Sequence, residues 1–168
     1  KPGAPIQPTM YGLFFEDINF GADGGLYAEK IKNRSFEFPQ HLMGWKTFGG
    51  VELRNDGPFD RNPHYVRLTS AGHNHKHTGL ENEGFVGIGV EKGEKYRFSV
   101  WARVPQGGEG RLKVVLADRN THGRSQDLAS AKIKVTTTDW QKYTVELTPD
   151  QTCAHAVLRV FLRHPDTT

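Results

Sequence analysis

From Gly44 onward, apolar and polar residues alternate with a period of two, the pattern of strands with one buried face. It predicts strands at Val51–Arg54, His64–Thr69, Phe85–Val90, Lys95–Val104, Arg111–Ala117, Ala131–Thr136, Trp140–Leu147 and Ala154–Arg163. Clusters of Gly, Pro, Asn and Asp separate them. About eight short strands with turn signals between them predict an all-β jelly-roll β-sandwich. The earlier part of the chain reads differently. "YGLFFE" is a nearly continuous apolar run, as in a strand buried on both faces. The loop "NFGADGG" follows, and "LYAEKIKNRSFE" then places Tyr27 and Ile31 four apart, with Asp23 as a start signal for a short helix. Strand, loop and helix make the opening of a βα unit, which has no mate of its own to bury it.

Alternation also assigns faces. In "KYRFSVWARV" the core face carries Tyr96, Phe98, Val100, Ala102 and Val104, and Arg97, Ser99, Trp101 and Arg103 point away from it. In "AHAVLRVFLR" the core face is Ala156, Leu158, Val160 and Leu162, with Val157, Arg159, Phe161 and Arg163 outside. In "FVGIGV", Val86, Ile88 and Val90 face the core opposite Gly87 and Gly89. Three strands are thus expected to share one outer face of aromatics, arginines and glycines. Arg97, Trp101, Arg103, Arg159 and Phe161 on such a face suit a carbohydrate, whose C–H face stacks on a flat ring while its hydroxyls take polar neighbours. The same apolar bulk would also serve packing against another domain. Trp45 and Trp140 are expected in or near the core.

Composition narrows the partners. With 19 glycines and 9 prolines, the 168-residue chain suits strands and turns better than a helical bundle. A net charge of +3, spread without a basic run, argues against a nucleic-acid partner. No apolar stretch approaches the roughly 20 residues of a membrane-spanning helix, so no membrane partner is expected. Cys153 is the only cysteine and can form no internal disulfide. The chain opens on Lys1 without a signal-peptide pattern, as expected of a processed or excised segment. "GHNHKHTG" sets His73, His75 and His77 at alternate positions downstream of His64. A metal is conceivable there, but no carboxylate or cysteine partner is evident and the flanking glycines mark a solvated loop. No metal and no cofactor are expected. Glu16 and Asp17 end the apolar run and are either carboxylates at the mouth of an α/β barrel or a pair that caps a helix or anchors a loop.

"MYGLFFEDINFGADGGLYAEKIKNRSFEF" resembles the amino-terminal signature of the α-L-arabinofuranosidases of glycoside hydrolase family 51, a likeness running through residues 8–38. The stretch from "GWKTFGGVELRND" to "KYRFSVWAR" resembles the carbohydrate-binding-module-like sandwich inserted after that signature in many bacterial and plant members. The resemblance implies that residues 1–39 are the first strand–helix segment of a (β/α)8 barrel and that residues 40–168 are the jelly-roll sandwich, galactose-binding-like in type and short of its last strand. It implies a secreted or periplasmic parent enzyme that removes terminal α-L-arabinofuranosyl groups from arabinan or arabinoxylan with retention of configuration. Retention needs two carboxyl groups about 5 Å apart. In the family both are glutamates on later barrel strands, so this chain alone is expected to be inactive. Glu16 matches the first-strand glutamate that hydrogen-bonds the arabinose where the bond is cut, with Asp17 and Asn19 as weaker neighbours. The expected partners are an arabinose-containing poly- or oligosaccharide and the remaining catalytic domain. The sandwich would either bind carbohydrate or brace the barrel as a non-catalytic module.

Overall fold

The computed structural model describes residues 29–70, 78–106, 108–119 and 125–163. Among these residues the chain is all-β, with ten strands and no helix. They are β1 (Trp45–Phe48), β2 (Gly50–Arg54), β3 (Tyr65–Thr69), β4 (Thr78–Asn82), β5 (Ile88–Val90), β6 (Tyr96–Ala102), β7 (Gly110–Asp118), β8 (Gln126–Val135), β9 (Gln141–Leu147) and β10 (Cys153–Arg163). Six of them form one sheet in the order β1-β4-β10-β7-β8, with β5 also paired to β10. β6 and β9 form a second, two-stranded sheet, and β2 and β3 a third. Every pairing between these strands is antiparallel.

The longest strand, β10, is the spine of the large sheet. Its outer half pairs with β4 and its first half with β5, while β7 runs along its other side. The alternation in β10 and β7 turns Ala156, Leu158, Val160, Val114 and Leu116 toward Tyr96 and Phe98 of β6 and Leu147 of β9, closing a single core. Burial of each such aliphatic side chain is worth about 1.5–3 kcal/mol, so this shared core is what holds the sheets face to face. The expected strands therefore appear, with β5 shorter and β8 longer than the pattern suggests. Two strands escape the alternation. β1 opens on Trp45, and β4, "TGLEN", is buried along its whole length despite Glu81 and Asn82.

The strand expected at "YGLFFE" and the first part of the expected helix lie outside the described residues. The remainder of that helix, residues 29–37, is a series of turns. Asn33 and Phe36 both take left-handed backbone angles, φ 55° and 61°, which an α-helix does not accommodate. The Asn33 side chain replaces the helical hydrogen bonds: its amide donates to the carbonyls of His41 and Met43, and its oxygen accepts from the Phe38 amide. The Trp45 indole closes the same loop by donating to the Asn33 carbonyl at 2.9 Å. Trp45 is thus half-buried against the core, as expected, whereas Trp140 lies beside the β2–β3 hairpin, edge-on to Tyr65.

This segment belongs physically to the sandwich. Ile31 is buried in the main core. The fully buried Asn82 donates to the Lys32 carbonyl at 2.8 Å and accepts from the amides of Lys32 at 3.2 Å and Gly84 at 2.8 Å. Lys30 donates to the Gly89 carbonyl at 2.8 Å and lies over the Tyr96 ring. A buried donor left without a partner costs about 1–3 kcal/mol, and Asn82 satisfies two. Asn82→Ala is expected to lower unfolding stability by about 2–4 kcal/mol. Urea denaturation checks it: the midpoint should fall with an unchanged slope.

Candidate functional site

The five residues expected to share one face divide between two. Arg97 and Trp101 sit in β6 and Arg103 just past its end, whereas Arg159 and Phe161 sit in β10. Because β6 and β10 lie in different sheets and turn their core residues toward each other, their alternate residues point away from the core in opposite directions. Alternation fixes inside and outside along one strand. It does not say which side of the sandwich the outside is on.

On the β6–β9 face the exposed residues form a strip. The register sets Arg97 opposite Glu146, Ser99 opposite Thr144 and Trp101 opposite Lys142. The Ser99 and Thr144 hydroxyls hydrogen-bond each other at 2.9 Å. Trp101 is 44% exposed, and Phe59, from the loop joining β2 and β3, meets it edge-on with ring centroids 5.2 Å apart. Beyond the strand end, the Arg103 guanidinium lies over the Trp140 ring at 5.3 Å, and Tyr65 meets that indole edge-on at 4.9 Å. The result is an aromatic platform next to paired hydroxyls and charges of both signs. Phe59 carries no periodic signal, since it sits in the Pro- and Gly-containing stretch "NDGPFDRNP".

The opposite face is built around an ion cluster. Glu81 of β4, only 4% exposed, accepts from Arg159 Nε at 2.7 Å, with Arg119 at 3.5 Å and Lys46 at 3.9 Å on its other oxygen. Arg159 also donates to the Ser125 hydroxyl, and Arg119 to Glu83 at 3.2 Å. Both residues flanking the β7–β8 connection thus bond across this face. Val157, expected outside, is buried here with Val115 and Ala117 in a second small apolar cluster. Phe161 lies half-buried against Phe48, over Gly79, where an added Cβ would stand 2.2 Å from the Val160 carbonyl oxygen and 2.7 Å from the Phe161 ring. Only glycine allows that approach. Arg159 is therefore committed to Glu81 rather than offered to a ligand. Sequence alternation misses Glu81 because β4 has none.

Glu16, Asp17 and Asn19, and with them His73, His75 and His77, lie outside the described residues. Among the described residues no helix is long and apolar enough to cross a membrane.

A family model described as a carbohydrate binding domain matches residues 28–168. The chain is 40% identical over 168 residues to the extracellular exo-α-L-arabinofuranosidase of Streptomyces chartreusis, across 94% of this chain and 19% of that protein. It is 33% identical over 155 residues to α-L-arabinofuranosidase 1 of Arabidopsis thaliana, across 84% of this chain and 22% of that one. Among solved structures, arabinose-bound MgGH51 α-L-arabinofuranosidase superposes with a TM-score of 0.68 at 30% identity, over 90% of this chain and 26% of that chain. The chain thus spans 19% and 22% of the lengths of these two curated relatives.

Removing one partner of a buried charge leaves the other uncompensated. Arg159→Met is expected to destabilise the sandwich by about 1–3 kcal/mol, since Arg119 and Lys46 retain part of the charge balance of Glu81. Thermal unfolding measures the loss.

Proposed function

The chain belongs to the carbohydrate-binding domain family, and from that premise we propose that it is the glycan-binding module of a secreted or periplasmic α-L-arabinofuranosidase, with the Trp101 strip as its binding face. The observation that carries this reading is the 44% exposure of an indole on the otherwise polar outer face of the β6–β9 pair. A half-exposed tryptophan beside the Ser99–Thr144 hydroxyls matches the two demands of a sugar: a flat apolar surface for its C–H face and short polar groups for its hydroxyls. Phe59 widens the platform, and Arg97, Lys142 and Glu146 supply longer polar arms along the strip. Arg103 contributes by holding the Trp140 ring.

The parent enzyme would hydrolyse terminal α-L-arabinofuranosides of arabinan or arabinoxylan. Glu16 would contact the arabinose there, with Asp17 and Asn19 beside it. The nucleophile and acid/base carboxylates would come from barrel strands beyond this chain, which leaves the isolated chain inactive. Secretion agrees with the extracellular relative from Streptomyces chartreusis.

A second reading, bracing of the barrel, rests on a different observation. The tight turn between β4 and β5 exposes Phe85 at 61% and Val86 at 83%. Gly84 and Gly87 take φ 66° and 93°, and the Gly87 amide bonds the Glu83 carbonyl at 2.9 Å, so the apolar tip is held rather than loose. Gly84 lies against the Lys30 carbonyl, where the chain enters the sandwich from residues 1–28. An apolar tip at that entry point suits contact with the domain that precedes it in the chain.

Isothermal titration with arabinan and arabinoxylan oligosaccharides tests the first reading. Saturable binding is expected, weakened at least about tenfold in Trp101→Ala, roughly 1.4 kcal/mol, with an unchanged circular dichroism spectrum. No heat from the folded chain would remove the binding role. For bracing, Phe85→Ser with Val86→Ser should leave the melting temperature of this chain within about 2 °C and lower that of the complete enzyme by more. Equal effects on both would sink that reading.

A further inference from the structure

Three side chains outside both faces converge without serving either. Glu37 and His41 lie in the loop organised by Asn33, and His64 precedes β3 at the base of the hairpin. One ligand-capable atom from each lies within 4.8 Å of the others. The two imidazoles stack with centroids 4.0 Å apart and planes 24° from parallel. They border an open cleft shared with Leu53, Arg54 and Asn55.

The hydrogen bonds decide what the rings can offer. His41 Nδ1 lies 2.8 Å from the Phe36 carbonyl, which can only accept, so Nδ1 carries the proton and Nε2 keeps its lone pair. His64 Nδ1 is 2.7 Å from Glu37 Oε2, and the other Glu37 oxygen accepts from the His64 backbone amide at 3.0 Å. A carbonyl on the far nitrogen of an imidazole is the usual outer partner of a metal-binding histidine, because it fixes the tautomer and raises the ring's basicity, and Phe36 gives His41 that partner. The Glu37–His64 contact instead sets two ligand atoms side by side, and an entering cation would take the place of the Nδ1 proton between them. Among the described residues no donor occupies Nε2 of His41. Arg54, the nearest cation lining the cleft, is engaged by Glu52 at 3.0 Å and Asp56 at 3.6 Å.

We propose that Glu37, His41 and His64 form a binding site for a zinc-class divalent cation that clips the Asn33 loop to the β2–β3 hairpin. Two imidazoles and a carboxylate are the donor set that Zn2+ prefers over the hard cations Ca2+ and Mg2+. Ligands of one zinc stand roughly 3.3 Å apart at bond lengths near 2 Å, so closure from within 4.8 Å asks at most about 1.5 Å of side-chain movement in an open cleft. Any remaining coordination position faces the cleft.

The test uses the full 168-residue chain freed of metal by chelation. Titration with ZnCl2 should show one site, and a hundredfold excess over Kd should raise the melting temperature by roughly 5–10 °C, reversed by EDTA. CaCl2 and MgCl2 should do neither. His41→Ala and His64→Ala should each abolish the shift, whereas the triple variant His73→Ala, His75→Ala, His77→Ala should keep it. In case a single variant fails to fold, the imidazole resonances of His41 and His64 in the unaltered chain should move on adding ZnCl2. The proposal is overturned if the unaltered chain shows no zinc heat and no shift, if the imidazole resonances stay in place, or if binding survives without His41 and His64 or disappears with the triple variant. This site is independent of the glycan face, so Trp101→Ala should leave zinc binding intact.

Discussion

Two buried asparagines decide where the sandwich begins. Without Asn82, nothing in β4 would hold the backbone at Lys32, and Ile31 would have no fixed route into the core. Without Asn33, the stretch from Phe36 to Trp45 would lack the acceptor and donors that keep its carbonyls and amides paired. A primary amide donates and accepts through separate atoms, like a peptide group, which is why it can stand in for missing secondary structure. Asn33 also tolerates the left-handed backbone its loop needs better than most residues. The consequence reaches the chemistry. Glu37 and His41 are where they are because Asn33 sets the loop's path, and Trp45 can start β1 because its indole closes that loop.

The second constraint is the separation of the two sheets by one core. It assigns the sandwich two outer faces of unlike character. On the large sheet, Glu81 collects Arg159, Arg119 and Lys46, and the residues around it are spent on internal pairing. A buried carboxylate surrounded by cations is structural glue with a high cost of disruption, and it leaves little for a ligand. On the smaller sheet the charged residues belong to strand pairs at the surface, and Trp101 remains half open. Physical availability, more than residue type, separates the two faces.

Much of this was legible in the sequence, for a reason visible in particular strands. β6 and β10 have one face in the core and one outside, so their alternation names Tyr96, Phe98, Leu158 and Val160 correctly. β4 is buried on both faces and carries Gly79, Glu81 and Asn82 for close approach, ion pairing and capping, so its residues follow no period. The helix expected through Ile31 fails because the i, i+4 apolar pair says nothing of Asn33, whose tertiary partners lie eight and ten residues away. The merger of Trp101 and Phe161 into one face fails because strand order is a long-range property, absent from any local window. Val157 shows the same limit, since an outward position became buried in a second cluster.

Glycan binding and bracing need not compete for the same surface. Trp101 belongs to the β6–β9 sheet, whereas Phe85 and Val86 cap a turn of the large sheet beside the point where the chain enters. If the module is attached through that turn, as proposed above, the Trp101 strip on the other sheet would be left open to a polymer. Rigid attachment would then add to binding, because a glycan held by a fixed platform is presented at a constant distance from the neighbouring active site, and the effective concentration of its chain ends rises without any new contact. A stiff entry loop would serve that arrangement by removing the slack through which a tethered module otherwise averages over orientations. The amides of Asn33 and Asn82 supply this stiffness with hydrogen bonds alone.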